Sequence, residues 1–326
     1  MCQSMKYLII YTDDMATSYC NFNCSATEPR LIELSALKEG LIWAMKENLR
    51  VQIVYPEYDL PKAYEEVIGT VDHVKIKPLS AAGPAEIRIV ESCKGIQAAA
   101  DVNDVNKDIY VVRTTIKEFI NNYENLLPLI TNGLRTNVVF TDYSTIEEND
   151  LVSYRHSLQQ LAISMADNWP TGQLNLLTDR MMQNSMNNCN AGSDSVALMP
   201  DGCFYTCPGF YYDKMGRMDV EDCEECVGNL HSGLHIQNMH LYKLEYAPLC
   251  RRCDAYNCQR CIYLNKKRTL EVNTPGHIQC VMANLSRNAS AYLRQLLKEK
   301  GIDVGYDIEI ISSLDPIENH PRYRYI

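Results

Sequence analysis

The stretch from Leu249 to Cys280, LCRRCDAYNCQRCIYLNKKRTLEVNTPGHIQC, holds five cysteines spaced C-x2-C-x4-C-x2-C-x18-C. Two close C-x2-C pairs place four thiols within a few residues, because a tight turn between paired cysteines lets both sulfurs point at one metal. Cys250, Cys253, Cys258 and Cys261 would complete a four-cysteine zinc ribbon by themselves. Cys280 is surplus to that reading and asks for a second centre. Upstream, Cys189 is followed by twelve residues, Gly202, four residues and Cys207, so seven cysteines stand in order.

The arrangement C-x12-G-x4-C, a gap, C-x2-C-x4-C-x2-C, a second gap and a last Cys resembles the SPASM domain, the auxiliary iron–sulfur domain at the C-terminus of radical SAM peptide-modifying enzymes. The x4 and the second x2 are each one residue shorter than the usual family form. The resemblance implies that Cys250, Cys253, Cys258 and Cys280 hold one 4Fe-4S auxiliary cluster, and that Cys189, Cys207 and Cys261 hold another. The fuller family pattern has one more cysteine a few residues before the first, where this chain reads MMQNSMNN. The fourth site of that second cluster is therefore open, or Cys203 fills it.

Fourteen cysteines in 326 residues is a high count, and no apolar signal segment leads the chain, since the run Tyr7 to Tyr11 is closed by Asp13 and Asp14. The expectation is a cytoplasmic protein whose clustered cysteines are metal ligands rather than disulfides. Ten of the fourteen lie between Cys189 and Cys280, which divides the chain into a Cys-poor front and a Cys-rich back. No run approaches the roughly 18 apolar residues of a membrane span. A net charge of −10 argues against a nucleic-acid partner, whose phosphates need a basic surface.

The front half alternates strands and helices. Strands are predicted at residues 6–12, 50–55, 72–76, 108–112, 136–140 and 173–177, with a further extended stretch at 86–90 and a loop at 80–84. Helices are predicted at 31–48, 61–68, 115–130 and 149–167. In the first, Leu34, Leu37, Leu41, Ala44 and Met45 share a face and Gly40 is a weak point. Leu151, Tyr154, Leu158, Leu161 and Met165 share a face of the last. Strands separated by helices imply a parallel sheet, because each crossover returns the chain to the same end. Beyond Cys280 a helix is predicted at 286–300, capped by Gly301, and an edge strand at 307–311. The fold class is α/β, and the resemblance implies a partial (βα)6 radical SAM-like barrel at 1–183, a small Cys-rich SPASM iron–sulfur domain at 184–285, and a C-terminal helix and strand at 286–326 packing on the barrel.

In such a fold ligands bind in the loops that leave the C-terminal ends of strands. The loop after the first strand reads DDMATSYCNFNCSATEP. Radical SAM enzymes carry a C-x3-C-x2-C motif there, in which three thiolates leave one iron free for S-adenosylmethionine. The matching residues are Cys20, Cys24 and Thr27, so the third ligand is missing, and threonine is a poor ligand for a soft metal. This chain alone is not expected to cleave S-adenosylmethionine, with Cys93 as the one candidate rescue thiol and Cys2 at the wrong end of its strand. Asp13 and Asp14 are candidates for an acid–base pair or for holding a substrate amine, set against a turn and capping role.

The stretch YLIIYTDDMATSYCNF, with the Cys-rich tail, is similar to the CXXX-repeat peptide maturases. That resemblance implies maturation of a ribosomally synthesised precursor peptide with Cys repeats, and an enzyme of the radical SAM-like, peptide-modifying kind. A cluster- or zinc-bearing scaffold that presents the peptide to a partner modification protein is the alternative, and a zinc-ribbon interaction protein a third class. Arg251, Arg252 and Arg260 between the cluster cysteines are read as offsetting thiolate charge or binding an acidic peptide segment. Tyr205, Phe210, Tyr211 and Tyr212 are read as shielding the metal domain or lining a peptide groove. Cys223 and Cys226 form one more C-x2-C among acids, read as a solvated turn or a third metal pair, while His231, His235 and His240 are read as structural.

Overall fold

The structure, a computed structural model, describes residues 5–24, 26–96, 109–186, 188–215 and 225–316. Its elements begin with β1 (Tyr7–Tyr11), α1 (Leu34–Lys46), β2 (Arg50–Val54), α2 (Lys62–Ile68), β3 (His73–Pro78), β4 (Ile87–Glu91) and β5 (Ile109–Thr114). Next come α3 (Ile116–Asn122), α4 (Leu127–Thr131), β6 (Arg135–Phe140), α5 (Glu148–Asp167), β7 (Gln173–Leu174) and α6 (Asn175–Met182). The rest are β8 (Ser195–Leu198), β9 (Cys203–Tyr205), α7 (Pro208–Met215), β10 (Cys226–Asn229), β11 (Gly233–Leu234), α8 (Ile262–Thr269) and α9 (His277–Glu299). They fall into two compact units, Met1–Ile89 with Asn190–Tyr246, and Val90–Cys189 with Ala247–Ile326. None of the described helices is long and apolar enough to cross a membrane.

In the first unit, β8, β1, β2, β3 and β4 are neighbours in that order and run parallel. β9, β10 and β11 extend the β8 side as antiparallel strands. β1 lies inside this sheet, with Leu8 opposite Val51 on one side and Val196 on the other. Its near-continuous apolar run suits a strand covered on both faces. Leu37, Leu41 and Ala44 of α1 pack with Leu8, Ile10, Ile53, Val196, Leu198 and Phe204 in one core. Each such leucine or isoleucine, fully buried, contributes roughly 2 kcal/mol. Met45 is not part of that face, since it is exposed. Gly40 is a packing requirement rather than a weak point, because a Cβ there would lie 2.5 Å from Leu198 Cδ2. β8, unseen in the sequence, is thus what gives that glycine its reason.

In the second unit β5, β6 and β7 pair in parallel. The predicted helix at 115–130 breaks into α3, a 3-10 turn at Tyr123–Leu126, and α4. Pro128 lies in the first turn of α4, and its missing N–H rules it out of a continuous helix interior. The predicted strand at 173–177 stops after Leu174 and becomes α6. There Asn175 takes over the work of a strand, its amide receiving Val138 N–H at 2.9 Å and donating to Val138 C=O at 3.0 Å. α5 buries Tyr154, Leu158, Leu161 and Met165, with Leu151 half-buried, and a capping box of Glu147 and Asp150 opens it. α9 begins at His277, nine residues before the predicted start, so Cys280 sits in its first turn. It packs on α5 and α6, and Tyr154 Oη meets Ser286 Oγ at 2.7 Å. Residues 307–311 form no strand, because side chains of α9 occupy their backbone: Asn288 exchanges two hydrogen bonds with Ile311 and Arg287 donates to Glu309 C=O.

Candidate functional site

The Cys-rich loop of the second unit is built from tight turns. Cys253 N–H donates to Cys250 C=O at 3.0 Å and Cys258 N–H to Ala255 C=O at 2.9 Å. These turns aim backbone N–H groups at sulfur: Ala255 N–H at Cys253 Sγ (3.5 Å), Arg260 N–H at Cys258 Sγ (3.4 Å) and Leu264 N–H at Cys261 Sγ (3.5 Å). Donors held toward sulfur favour its thiolate form and tune a bound metal.

Cys250, Cys253, Cys258 and Cys280 lie close enough for their charges to be felt mutually. Burial, and then Cys258 and Cys253, push the Cys250 thiol up to about 12. Burial likewise pushes Cys258 up to about 11 against the pull of the Arg260 N–H. Cys280 is pushed higher still, by burial and then by Cys258, Cys250 and Cys253. Arg260 is 1% exposed, and burial leaves its guanidinium below the ordinary value, opposed by Cys250, Cys189, Cys258 and Cys261. The arginine therefore lies among four thiols, and its Nε donates to Asn188 Oδ1 at 2.8 Å. Cys189 N–H donates to Gln259 C=O at 2.9 Å, which ties the upstream cysteine to this loop. Of the three arginines read between the cysteines, Arg251 and Arg252 are exposed. Among the described residues, no three His, Cys, Asp or Glu side chains already stand in a ligating arrangement.

Sequence reasoning missed the clamp on this loop. Asp254, next to Cys253, receives Arg287 Nε at 2.6 Å and its second nitrogen at 2.8 Å, and Arg180 donates from 3.0 and 3.1 Å. Arg180 comes from α6 and Arg287 from α9, so one carboxylate fastens the loop to two helices. No local pattern announces such a residue, because its partners lie 74 and 33 positions away.

In the first unit, the loop after β1 is also tightly built. Asp13 is 0% exposed and accepts Met15 N–H at 2.7 Å and Tyr58 Oη at 2.8 Å. Asp14, 2% exposed, accepts Tyr211 Oη. Burial raises its carboxyl above the usual value, opposed by the Tyr211 hydrogen bond and the Arg30 charge. The turn role of Asp13 is thus present, and a proton-exchanging pair with tyrosine donors is chemically available. Cys24 Sγ donates to Asp14 C=O at 2.7 Å, and burial raises its thiol. Thr27 is exposed. Cys20 and Cys207 both lie near the Tyr11 hydroxyl. Tyr212 packs edge-on against Tyr11 at 6.1 Å and stacks with Phe22 at 5.7 Å. Tyr205, Phe210, Tyr211 and Tyr212 are all buried, so they shield this site rather than present an open groove.

Gly202 has φ +78° in the turn joining β8 to β9, a conformation that favours glycine. Cys203 follows it and opens β9, which pairs antiparallel with β10. Cys93 is buried, its Sγ 3.6 Å from Thr114 Oγ1, and burial pushes it up to about 11. His235 Nε2 lies 2.8 Å from Ser232 C=O, in keeping with a structural role. Cys2 and Cys223 lie outside the described residues.

No family model matches the chain, and no curated protein matches it. Among solved structures, Streptococcus suis SuiB bound to S-adenosylmethionine is similar at 12% identity and a TM-score of 0.49, over 84% of this chain and 75% of that one. SuiB bound to its precursor peptide SuiA is similar at 12% identity and a TM-score of 0.46, over 83% and 75%. A likeness at that level leaves the chemistry of this chain to its own residues.

Proposed function

We propose that this chain acts in the maturation of a ribosomally synthesised precursor peptide with Cys repeats, as a cytoplasmic protein carrying auxiliary 4Fe-4S clusters. The reading assigns Cys250, Cys253, Cys258 and Cys280 to one cluster and Cys189, Cys207 and Cys261 to the other, its fourth position open or filled by Cys203. The observation that carries it is the donor set of the second unit. Four thiols perturb one another there, backbone N–H groups aim at Cys253 and Cys258, and Arg260 is buried alongside. This set fits a soft, thiolate-bound metal group, iron–sulfur or zinc. An iron–sulfur group held by these residues would supply one-electron chemistry.

The protein's own contribution is positioning. The Asp254 clamp fixes the loop, Arg260 offsets thiolate charge, and Asp13 and Asp14 offer carboxylates at the end of β1 for an amine or a proton. The β1 loop does not fit a three-thiolate S-adenosylmethionine cluster: it offers Cys20 and Cys24, Cys24 is bonded to Asp14 C=O, and Thr27 faces solvent. That observation favours the second reading, a cluster-bearing scaffold that presents the peptide to a partner modification protein. The experiment is reconstitution with iron and sulfide, then dithionite and S-adenosylmethionine. Turnover to 5′-deoxyadenosine that vanishes in Cys20→Ala supports an enzyme, and its absence with iron retained supports the scaffold.

A further inference from the structure

We infer that the start of α9 holds the C-terminal residue of a peptide, one with an apolar side chain, a free α-carboxylate and its own backbone N–H. The site lies wholly in the second unit and stands apart from the cluster reading. A cavity of about 360 Å³ opens between α8 and the first turn of α9, lined in part by Tyr143, Leu264, Arg268, Pro275, Ile278 and Gln279. The first N–H groups of a helix have no partner within it, and no side chain caps α9, whose N-cap is Gly276. Gly276 also lets the chain lie against Arg268, since a Cβ there would be 3.3 Å from Arg268 Cβ. Arg268 donates to Tyr143 C=O, which anchors an otherwise exposed guanidinium at the cavity. Asp315, a carboxylate beside this helix start, is bonded to His277 Nδ1. Uncapped N–H groups and an arginine at one cavity favour an anion.

A second group says which anion. Gln279 lines the same cavity, is 7% exposed, and has its Oε1 buried with no hydrogen-bond partner. A buried acceptor left unpaired is costly, so a ligand that brings a donor is favoured there. Sulfate and fully ionised phosphate bring acceptors alone. A free amino acid brings an ammonium, whose charge a buried neutral carbonyl does not compensate. The last residue of a peptide carries a carboxylate and a neutral N–H on one Cα, which matches an anion site and a neutral acceptor in one cavity. Leu264, Ile278 and the Tyr143 ring are half-buried and Pro275 is buried, so the side chain of that residue meets an apolar wall. The segment joining α8 to α9 is held in advance: Thr269 Oγ1 donates to Thr274 C=O at 2.8 Å and Asn265 Nδ2 to Val272 C=O at 2.8 Å.

The test is fluorescence anisotropy of the whole, anaerobically purified chain with a fluorescein-labelled peptide, Ala-Ala-Gly-Leu, ending in a free carboxylate. The expected result is saturable binding that weakens about ten- to a hundredfold when the carboxylate is replaced by a carboxamide, and that also weakens in Arg268→Ala. Methylating the leucine nitrogen removes the donor, and should weaken binding about three- to tenfold in wild type but not in Gln279→Leu. Gln279→Leu keeps the bulk and removes an unpaired group, so its Tm should stay at or above that of wild type, which separates lost recognition from lost folding. N-acetyl-glycyl-leucine should displace the probe and free leucine should not. The inference is overturned if folded wild type shows no saturable binding, if acid and amide peptides bind alike, or if N-methylation costs the same in Gln279→Leu. It is equally overturned if free leucine competes as well as the acetylated dipeptide, or if Gln279→Leu lowers Tm. None of these results depends on which metal the thiols hold.

Discussion

Replacing Asp254 with Asn tests whether the Cys-rich loop is held by charge. The carboxylate faces Arg287, 6% exposed, and Arg180, 13% exposed, and is itself 37% exposed. Removing one partner of a fully buried pair costs about 3–5 kcal/mol, because the other charge is left uncompensated. Solvent at Asp254 reduces that, and exposed pairs are worth only about 0.2–1 kcal/mol, so we expect a loss of about 2 kcal/mol. In a unit of this size that lowers Tm by roughly 4–8 °C. Burial raises the Asp254 carboxyl, but hydrogen bonds from Arg287 and Arg180 outweigh it and leave the group below its ordinary value. A depressed carboxylate stabilises fully above its unfolded pKa of about 3.9, and that contribution disappears as pH falls through the folded value. The gap between wild type and Asp254→Asn is therefore full at pH 7 and closes below about pH 3.9. Thermal melts of both proteins across pH 3 to 7 give the comparison. A variant within about 0.5 kcal/mol of wild type at pH 7, or a gap that widens in acid, refutes the reasoning.

Other perturbations read other parts of the account. Cys253→Ala should lose bound metal and make the 250–261 loop protease-sensitive while residues 1–89 stay protected, as measured by metal content and limited proteolysis. Gly40→Ala forces a Cβ to within 2.5 Å of Leu198 Cδ2 and should cost about 1–2 kcal/mol in denaturant melts, despite alanine's better helix propensity. Asn175→Ala leaves both Val138 backbone groups without the amide that pairs them and should cost about 2–4 kcal/mol by the same assay.

Much of the α/β order was legible because the chain repeats two simple periods. The apolar run of β1 and the three- and four-residue spacing of α1 and α5 each report burial directly. What stayed illegible depends on partners far away in sequence. β8 is four residues long and defined by its pairing with β1. Residues 307–311 alternate like a strand, but Asn288 and Arg287 claim their backbone. At the site, cysteine spacing announced a thiol-rich loop, and nothing local announced Asp254 as its clamp. The β1 loop was readable as two cysteines short of a third, whereas the tyrosines that bind Asp13 and Asp14 come from residues 58 and 211.

The central claim, that the thiols hold iron and sulfide, is tested most directly by metal and sulfide analysis of anaerobically purified whole chain. The account predicts a brown protein with iron and acid-labile sulfide in similar amounts, roughly four of each per occupied cluster, both lowered in Cys253→Ala by the content of the cluster that Cys253 serves. About one zinc per chain, without sulfide or visible colour, would contradict it.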